Sequence, residues 1–177
     1  MFGRKRMGKT TLIKRKVLEY HNQGIDFFIH DSRLQCEDFI GVHIYDYASL
    51  DEYLRKVTQI QIVFHDPDEK AFAKMVELIN KMEDTIIVLD DIAFYIDVFS
   101  KELDTFIRAS GQKNQTFIFS THRPQDVPRL ATSQLDELYL FQTHEPGDLK
   151  YFTGHFTPED IERLKTLTVG EYISKIY

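Results

Sequence analysis

The sequence predicts an α/β fold of three layers, with helices on both faces of a mostly parallel central sheet. Three observations carry that expectation. Short β-rich runs alternate with helical stretches along the chain, the pattern of parallel strands joined by crossover helices. A glycine-rich loop near the start, Gly3-Arg4-Lys5-Arg6-Met7-Gly8-Lys9-Thr10, opens directly into a helical stretch. The run Thr85-Ile86-Ile87-Val88-Leu89 is hydrophobic or β-branched throughout, as a strand buried on both faces must be, and it ends in two acids, Asp90 and Asp91.

Each element has its own signal. Lys9 to Gln23 sets Leu12, Ile13, Val17 and Tyr20 at helical spacing, with Gly24 as the stop. Ile25 to His30 reads as a strand closed by Asp31-Ser32, and Val42 to Tyr45 as a shorter one. Ser49-Leu50-Asp51-Glu52 offers a Ser N-cap with Glu52 at the capping-box position, which predicts a helix ending near Val57. Gln59 to Phe64 is a strand, and Asp66-Pro67 starts a helix that ends near Lys81, with proline in its first turn. Beyond the Thr85–Leu89 strand a helix is expected to extend to Ser110, stopped by Gly111. Thr116 to Phe119 and Leu138 to Phe141 continue the strand pattern. Thr157-Pro158-Glu159-Asp160 caps a short helix, and Glu171 to Tyr177 reads as a final edge strand.

At 177 residues, a single domain spanning 1–177 is expected. Apolar content of 42% with 28% charged residues is globular and excludes a disordered or fibrous chain. No stretch approaches the ~20 consecutive apolar residues of a transmembrane helix. Cys36 is the single cysteine, which agrees with a reducing compartment and an expected cytoplasmic or virion-associated location. No closely spaced His/Cys set suggests zinc. The net charge of −6 is uneven: residues 1 to 16 carry seven basic side chains and no acid, leaving 15 basic against 28 acidic for the rest. That distribution excludes a protein coated with nucleic acid over its whole surface and fits polyphosphate binding at one basic end.

The Gly3–Thr10 loop reads G-x-x-x-x-G-K-T, the Walker A pattern. Two glycines allow successive backbone N–H groups to face phosphate oxygens beside a helix N-terminus. Lys9 is the point charge for the β- and γ-phosphates of ATP, Thr10 a hydroxyl ligand for Mg²⁺, and Thr11 follows at the first helical turn. Asp90, 80 residues on, stands at the Walker B position, where a carboxylate holds Mg²⁺. Asp91 is placed to act as general base on the attacking water. At the end of the neighbouring strand, Ser120-Thr121-His122-Arg123-Pro124 offers His122 or Thr121 as a sensor of the γ-phosphate, with Arg123 as a second contact to phosphate or to a neighbouring subunit. Arg108 is a candidate arginine finger, a role that accelerates hydrolysis by ~10³–10⁵ where measured in GTPases. It is equally placed as a helix-end cation.

These residues resemble the HerA/FtsK superfamily of P-loop ATPases (RecA/ASCE-like), most of all its viral genome-packaging branch. The resemblance rests on Gly3–Thr10, Ile86–Asp91, Phe106–Arg123 with Pro124, and Leu135–Phe141. Arg108-Ala109-Ser110-Gly111-Gln112-Lys113 matches the family's Arg-x-x-Gly pattern but has Gln112 where a second Arg is common. His122-Arg123-Pro124 stands where the family usually has Gln-Arg-Pro, and Asp90-Asp91 where cellular pumps carry Asp-Glu. The resemblance implies a homo-hexameric ring around double-stranded DNA, ATP sites between subunits, translocation driven by hydrolysis, and a capsid or membrane component of a virion as partner. Only Met1 and Phe2 precede Gly3, so the strand that leads into the loop is expected to be missing: either the chain is N-terminally truncated or mis-started, which leaves strand partners unpaired and a hydrophobic slot open, or another segment fills the gap. Two other classes share the phosphate site: a nucleotide or metabolite kinase, and a non-motor nucleotide-binding assembly factor.

Overall fold

Strands form where the hydrophobic runs are shortest and most continuous. In the computed structural model, which describes residues 1–31, 33–66, 69–92, 107–108, 111–127 and 135–177, α1 (Lys9–Asn22) is followed by β1 (Phe27–His30), β2 (Val42–Ile44), α2 (Tyr47–Leu54), β3 (Gln61–Phe64), α3 (Glu69–Ile79) and β4 (Ile86–Leu89). Then come β5 (Thr116–Phe119), β6 (Glu137–Leu140), α4 (Pro146–Phe152), α5 (Pro158–Leu164) and β7 (Ile173–Ile176). Five strands pair in the order β2-β3-β1-β4-β5, every pairing parallel, and β6 pairs antiparallel with β7.

Both faces of the five-stranded sheet are covered, which is why β1 and β4 are buried at every position. Phe27, Ile29, Ile86 and Val88 face α1, packing with Ile13 and Val17. Phe28, Ile87 and Leu89 face the other way, onto Leu50 of α2, Met75 and Ile79 of α3, Phe152 of α4 and Leu164 of α5. The three layers expected from the sequence are therefore present.

Several boundaries move. The N-cap of α2 is Asp46 instead of Ser49: its carboxylate accepts the Ser49 N–H at 2.9 Å and the Ser49 hydroxyl at 2.6 Å, so the helix begins before the predicted capping box. Thr157 does form its capping box with Asp160. The short α4 was not anticipated. The predicted first turn at Pro67 and most of the helix expected before Gly111 lie outside the described residues, although Ile107 and Arg108 are helical. Gly111 opens a 3₁₀ turn, Gly111–Lys113.

Met1 and Phe2 bridge the two sheets. Phe2 N–H donates to Tyr139 O at 2.9 Å, Phe2 O accepts from Phe141 N–H at 2.8 Å, and Met1 O accepts from Thr121 N–H at 2.9 Å. Phe2 thus pairs in parallel with both Thr121 and Leu140, its ring edge-on to Phe119 and Phe152. Beside this bridge a cleft of about 490 Å³ separates β5 from β6, lined by Phe117, Phe119, Leu135, Glu137 and Tyr139.

His30, at the end of β1, is buried, stacked on Phe64 at 5.7 Å, with Nε2 3.0 Å from Asp66 O. Burial pushes its imidazole down from 6.5 to about 4, with Asp31 opposing and His65 reinforcing the shift. Between those values the unfolded chain binds a proton that the folded chain does not, so stability is lost as pH falls from 6.5 toward 4, by roughly 3 kcal/mol in all. Urea midpoints measured across this range should fall more steeply for the parent than for His30→Gln.

Candidate active site

The C-terminal ends of β1, β4 and β5 bring the predicted residues together. His30 lies beside Leu89 and Leu89 beside Phe119, so Asp31, Asp90 and Ser120 emerge at one sheet edge. The Gly3–Thr10 loop wraps onto that edge. Gly3 has φ 139°, and a Cβ there would lie 2.7 Å from Phe141 Cβ; Gly8 caps α1 with φ 101°. Arg6 is also left-handed, at φ 62°. Arg4, Lys5 and Arg6 are exposed, Met7 is buried, and Thr11 lies exposed on the first turn of α1. No side chain caps α1, and no acid occupies its first turn. Its first N–H groups and positive dipole end therefore face an anion site.

Lys9 is buried. Its Nζ donates to Gly3 O at 2.7 Å and Arg4 O at 2.8 Å, and lies 3.1 Å from His122 Nδ1. Burial lowers its amine from 10.5 to about 8, against the pull of Asp90 and Asp91. His122 is likewise held below its ordinary value, first by burial and then by Lys9, with Asp91 opposing. His122 Nδ1 lies between the Lys9 ammonium at 3.1 Å and Gly3 O at 3.3 Å, and Nε2 faces Asp91 Oδ2 at 3.7 Å.

Asp90 uses both oxygens. Oδ2 accepts from the Thr10 hydroxyl at 2.7 Å and Oδ1 from the Ser120 hydroxyl. Ser120 Oγ also accepts the Asp91 N–H at 3.1 Å. Asp91 sits at φ 57°, a left-handed conformation that aspartate tolerates better than most residues. Its Oδ2 is paired with Arg33 Nη2 at 3.0 Å, while its Oδ1 is buried without a hydrogen-bond partner among the described residues.

No group of three or more His, Cys, Asp or Glu side chains able to hold a metal occurs among the described residues. Two hard oxygens, from Thr10 and Asp90, suit Mg²⁺, which keeps several waters and takes the rest of its shell from phosphate. Asp91, with one oxygen lacking a partner, suits a water to be deprotonated.

Of the predicted residues, the structure gathers Lys9, Thr10, Asp90, Asp91 and His122. Arg123 is exposed, and its N–H turns back to Thr121 Oγ1 at 3.3 Å. Arg108 is exposed and has no contact with Lys9, Asp90, Asp91 or His122 among the described residues. Ser120 and Arg33 were not anticipated as members of the site. Ser120 directly follows β5, which is only partly buried where the sequence pointed to a buried strand, and could have been found by its place at that strand's end; Arg33 carries no local signal, because its link to Asp91 exists only once β1 lies beside β4.

No family model matches the sequence, and no curated protein matches it. Solved structures do. The genome packaging NTPase B204 of Sulfolobus turreted icosahedral virus 2, in complex with AMPPCP, superposes with a TM-score of 0.79 at 23% identity, covering 99% of this chain and 89% of that one. B204 described as the DNA-packaging ATPase of Sulfolobus turreted icosahedral virus gives 0.75 at 23% identity over the same shares. EssC (ATPases 2 and 3) from Geobacillus thermodenitrificans gives 0.63 at 17% identity, with 99% of this chain covering 36% of that one. The structural neighbours of this chain are thus viral genome-packaging and EssC ATPases, and it has their P-loop α/β fold.

Proposed function

We propose that the chain hydrolyses Mg-ATP to translocate double-stranded DNA, as the motor that packages a viral genome. The observation that carries the hydrolytic half is the 2.7 Å contact between Thr10 and Asp90, 80 residues apart in sequence, beside Lys9 and a second carboxylate, Asp91, with one buried oxygen unpartnered. The DNA half is supported by the sequence resemblance around Arg108–Gly111 and His122–Pro124 and by the fold shared with B204, described as a DNA-packaging ATPase.

In this reading the N–H groups of Gly3 to Thr11 and the Lys9 ammonium bind the phosphates. Lys9 leaves Gly3 O and Arg4 O to do so. Thr10 and Asp90 would hold Mg²⁺, which would supply neutralisation of charge on the phosphates. The Asp91 carboxylate takes a proton from the attacking water. His122, joined to Lys9 on one side and facing Asp91 on the other, responds to the γ-phosphate, with Arg123 next to it. The subunits form a homo-hexameric ring with ATP sites between neighbours, and exposed Arg108 enters the next subunit's site as its arginine finger. The motor works in the host cytoplasm or on the virion, docked on a capsid or membrane component. Among the described residues no helix is long and apolar enough to cross a membrane.

ATP hydrolysis measured with and without duplex DNA tests the proposal. DNA should raise turnover severalfold; robust turnover that ignores DNA and depends on a small phosphate acceptor would overturn it in favour of a kinase. Mixing Arg108→Ala subunits with Asp91→Asn subunits, each inactive alone, should restore part of the activity if Arg108 acts across the interface; no recovery in mixed rings makes it a surface cation. Ser120→Ala removes a donor from Asp90 and should raise the Mg²⁺ concentration for half-maximal hydrolysis ~10–100-fold, with Ser120→Thr close to the parent.

A further inference from the structure

The strand order fixes which way a nucleotide lies in the site. Asp90, Asp91, Ser120 and His122 follow β4 and β5, so they gather on one side of the Gly3–Thr10 loop. On its other side the loop meets β6 and the segment leading into β7. Phe2 pairs with Leu140, Arg4 N–H donates to Gln142 O at 3.0 Å, and a Cβ on Gly3 would lie 2.7 Å from Phe141 Cβ. A triphosphate whose γ end reaches His122 and Asp91 runs along the loop's N–H groups to the first turn of α1. Its nucleoside then leaves the loop on the β6–β7 side, away from the two carboxylates.

A tight turn occupies that side. Between α5 and β7, Glu171 N–H donates to Thr168 O at 3.0 Å, and the Glu171 carboxylate accepts the Thr168 N–H at 2.7 Å. The turn is fastened to the glycine loop: Gly170 N–H donates to Met7 O at 3.0 Å, and a Cβ on Gly8 would lie 3.1 Å from Gly170 Cα. A Cβ built on Gly170 itself meets nothing within 4 Å, so the turn borders open space. Just beyond the turn, Tyr172 packs on Phe141 at 5.6 Å and its hydroxyl accepts from Arg15 Nη2 at 3.2 Å, which ties the segment to α1 as well. Val169, the second residue of the turn, is 72% exposed. A lone exposed valine on an open surface needs no explanation. This one is held at a fixed place beside a phosphate site whose own exposed side chains, Arg4, Lys5 and Arg6, are all cations.

Resting on the phosphate site described above, we propose that the Thr168–Glu171 turn is the wall against which the nucleobase of ATP lies, with Val169 as its apolar contact. The glycine loop holds phosphates through N–H groups and charge, which a bare polyphosphate can use equally well. Preference for a nucleotide has to come from a group that touches the nucleoside. The faces of a base are flat and apolar, and a branched aliphatic side chain laid against one removes both surfaces from water. Val169 is such a side chain, and the Gly170–Met7 hydrogen bond fixes its distance from the phosphates.

Comparing a nucleotide with a polyphosphate that has no base tests this without requiring turnover. Affinities for a non-hydrolysable ATP analogue and for inorganic tripolyphosphate, each with Mg²⁺, are measured by calorimetry for the parent, Val169→Ser and Val169→Leu. Val169→Ser should weaken the ATP analogue about fivefold, the loss that follows from uncovering part of an aliphatic side chain, and leave tripolyphosphate within about twofold of the parent. Val169→Leu keeps the apolar surface and should hold both ligands within about twofold. Equal weakening of both ligands by Val169→Ser would make the turn a support for the glycine loop, and unchanged affinity for both would put the base elsewhere. Either result overturns the proposal. Lys9→Ala separates these outcomes from failure of the site itself. It should abolish binding of both ligands, and retention of both there removes the glycine-loop reading whatever the Val169 variants show.

Discussion

The Asp90 carboxylate is the point on which the rest of the site depends. One oxygen ties down Thr10 at the start of α1 and the other ties down Ser120 just after β5, while Asp90 itself directly follows β4. Three segments that are distant in sequence are fixed by one ionised group. That arrangement is possible only because β4 lies between β1 and β5, in a register that brings Asp31, Asp90 and Ser120 out at the same level. In an open parallel sheet the carboxyl ends of neighbouring strands are where ligands bind. Here those ends supply an anchor for a loop, a carboxylate and a hydroxyl, in that order across the sheet.

Charge follows the same geometry. Seven cations crowd residues 1 to 16 without an acid among them, in a chain that is acidic overall. Four of those seven cations are exposed, Arg4, Lys5, Arg6 and Arg15. Lys9 alone among these loop cations is buried, and that burial lowers its amine to about 8 even though Asp90 and Asp91 oppose the shift. Its three donors are met by two loop carbonyls and an imidazole, so the cost of burying the ammonium is offset locally. A phosphate arriving at the same place supplies stronger acceptors and opposite charge.

Much of this was legible in the sequence because the signals were local. Ile86–Leu89 is apolar at every position, and only a strand covered on both faces reads that way. Gly24 at φ 69° closes α1 where its helical period ends. The eight-residue loop and the Asp90-Asp91 pair could be assigned from residue type and order alone. What could not be read depends on tertiary choice. Ser49 and Asp46 are both good N-caps, and the helix takes the carboxylate because it satisfies the backbone N–H and the hydroxyl of Ser49 together. The α4 segment, Pro-Gly-Asp-Leu-Lys-Tyr-Phe, is too short to show a period. Arg33 reaches Asp91 through strand order, which no window of sequence contains.

The identity of the second acid bears on the same point. Asp91 occupies a left-handed turn directly after a strand, at φ 57°, and its N–H is spent on Ser120. A short carboxylate suits that turn, since aspartate enters this region of backbone space more readily than glutamate does. It also gives the carboxyl little reach. Arg33 and His122 both face Oδ2, leaving Oδ1 buried and directed elsewhere. The backbone is pinned by Ser120 and Oδ2 is engaged by Arg33 and His122, so the carboxylate is held in one setting. A glutamate, with one more rotatable bond, could swing between positions by itself. An aspartate in this setting is positioned by what it touches, the Arg33 guanidinium at 3.0 Å and the His122 imidazole at 3.7 Å from the same oxygen.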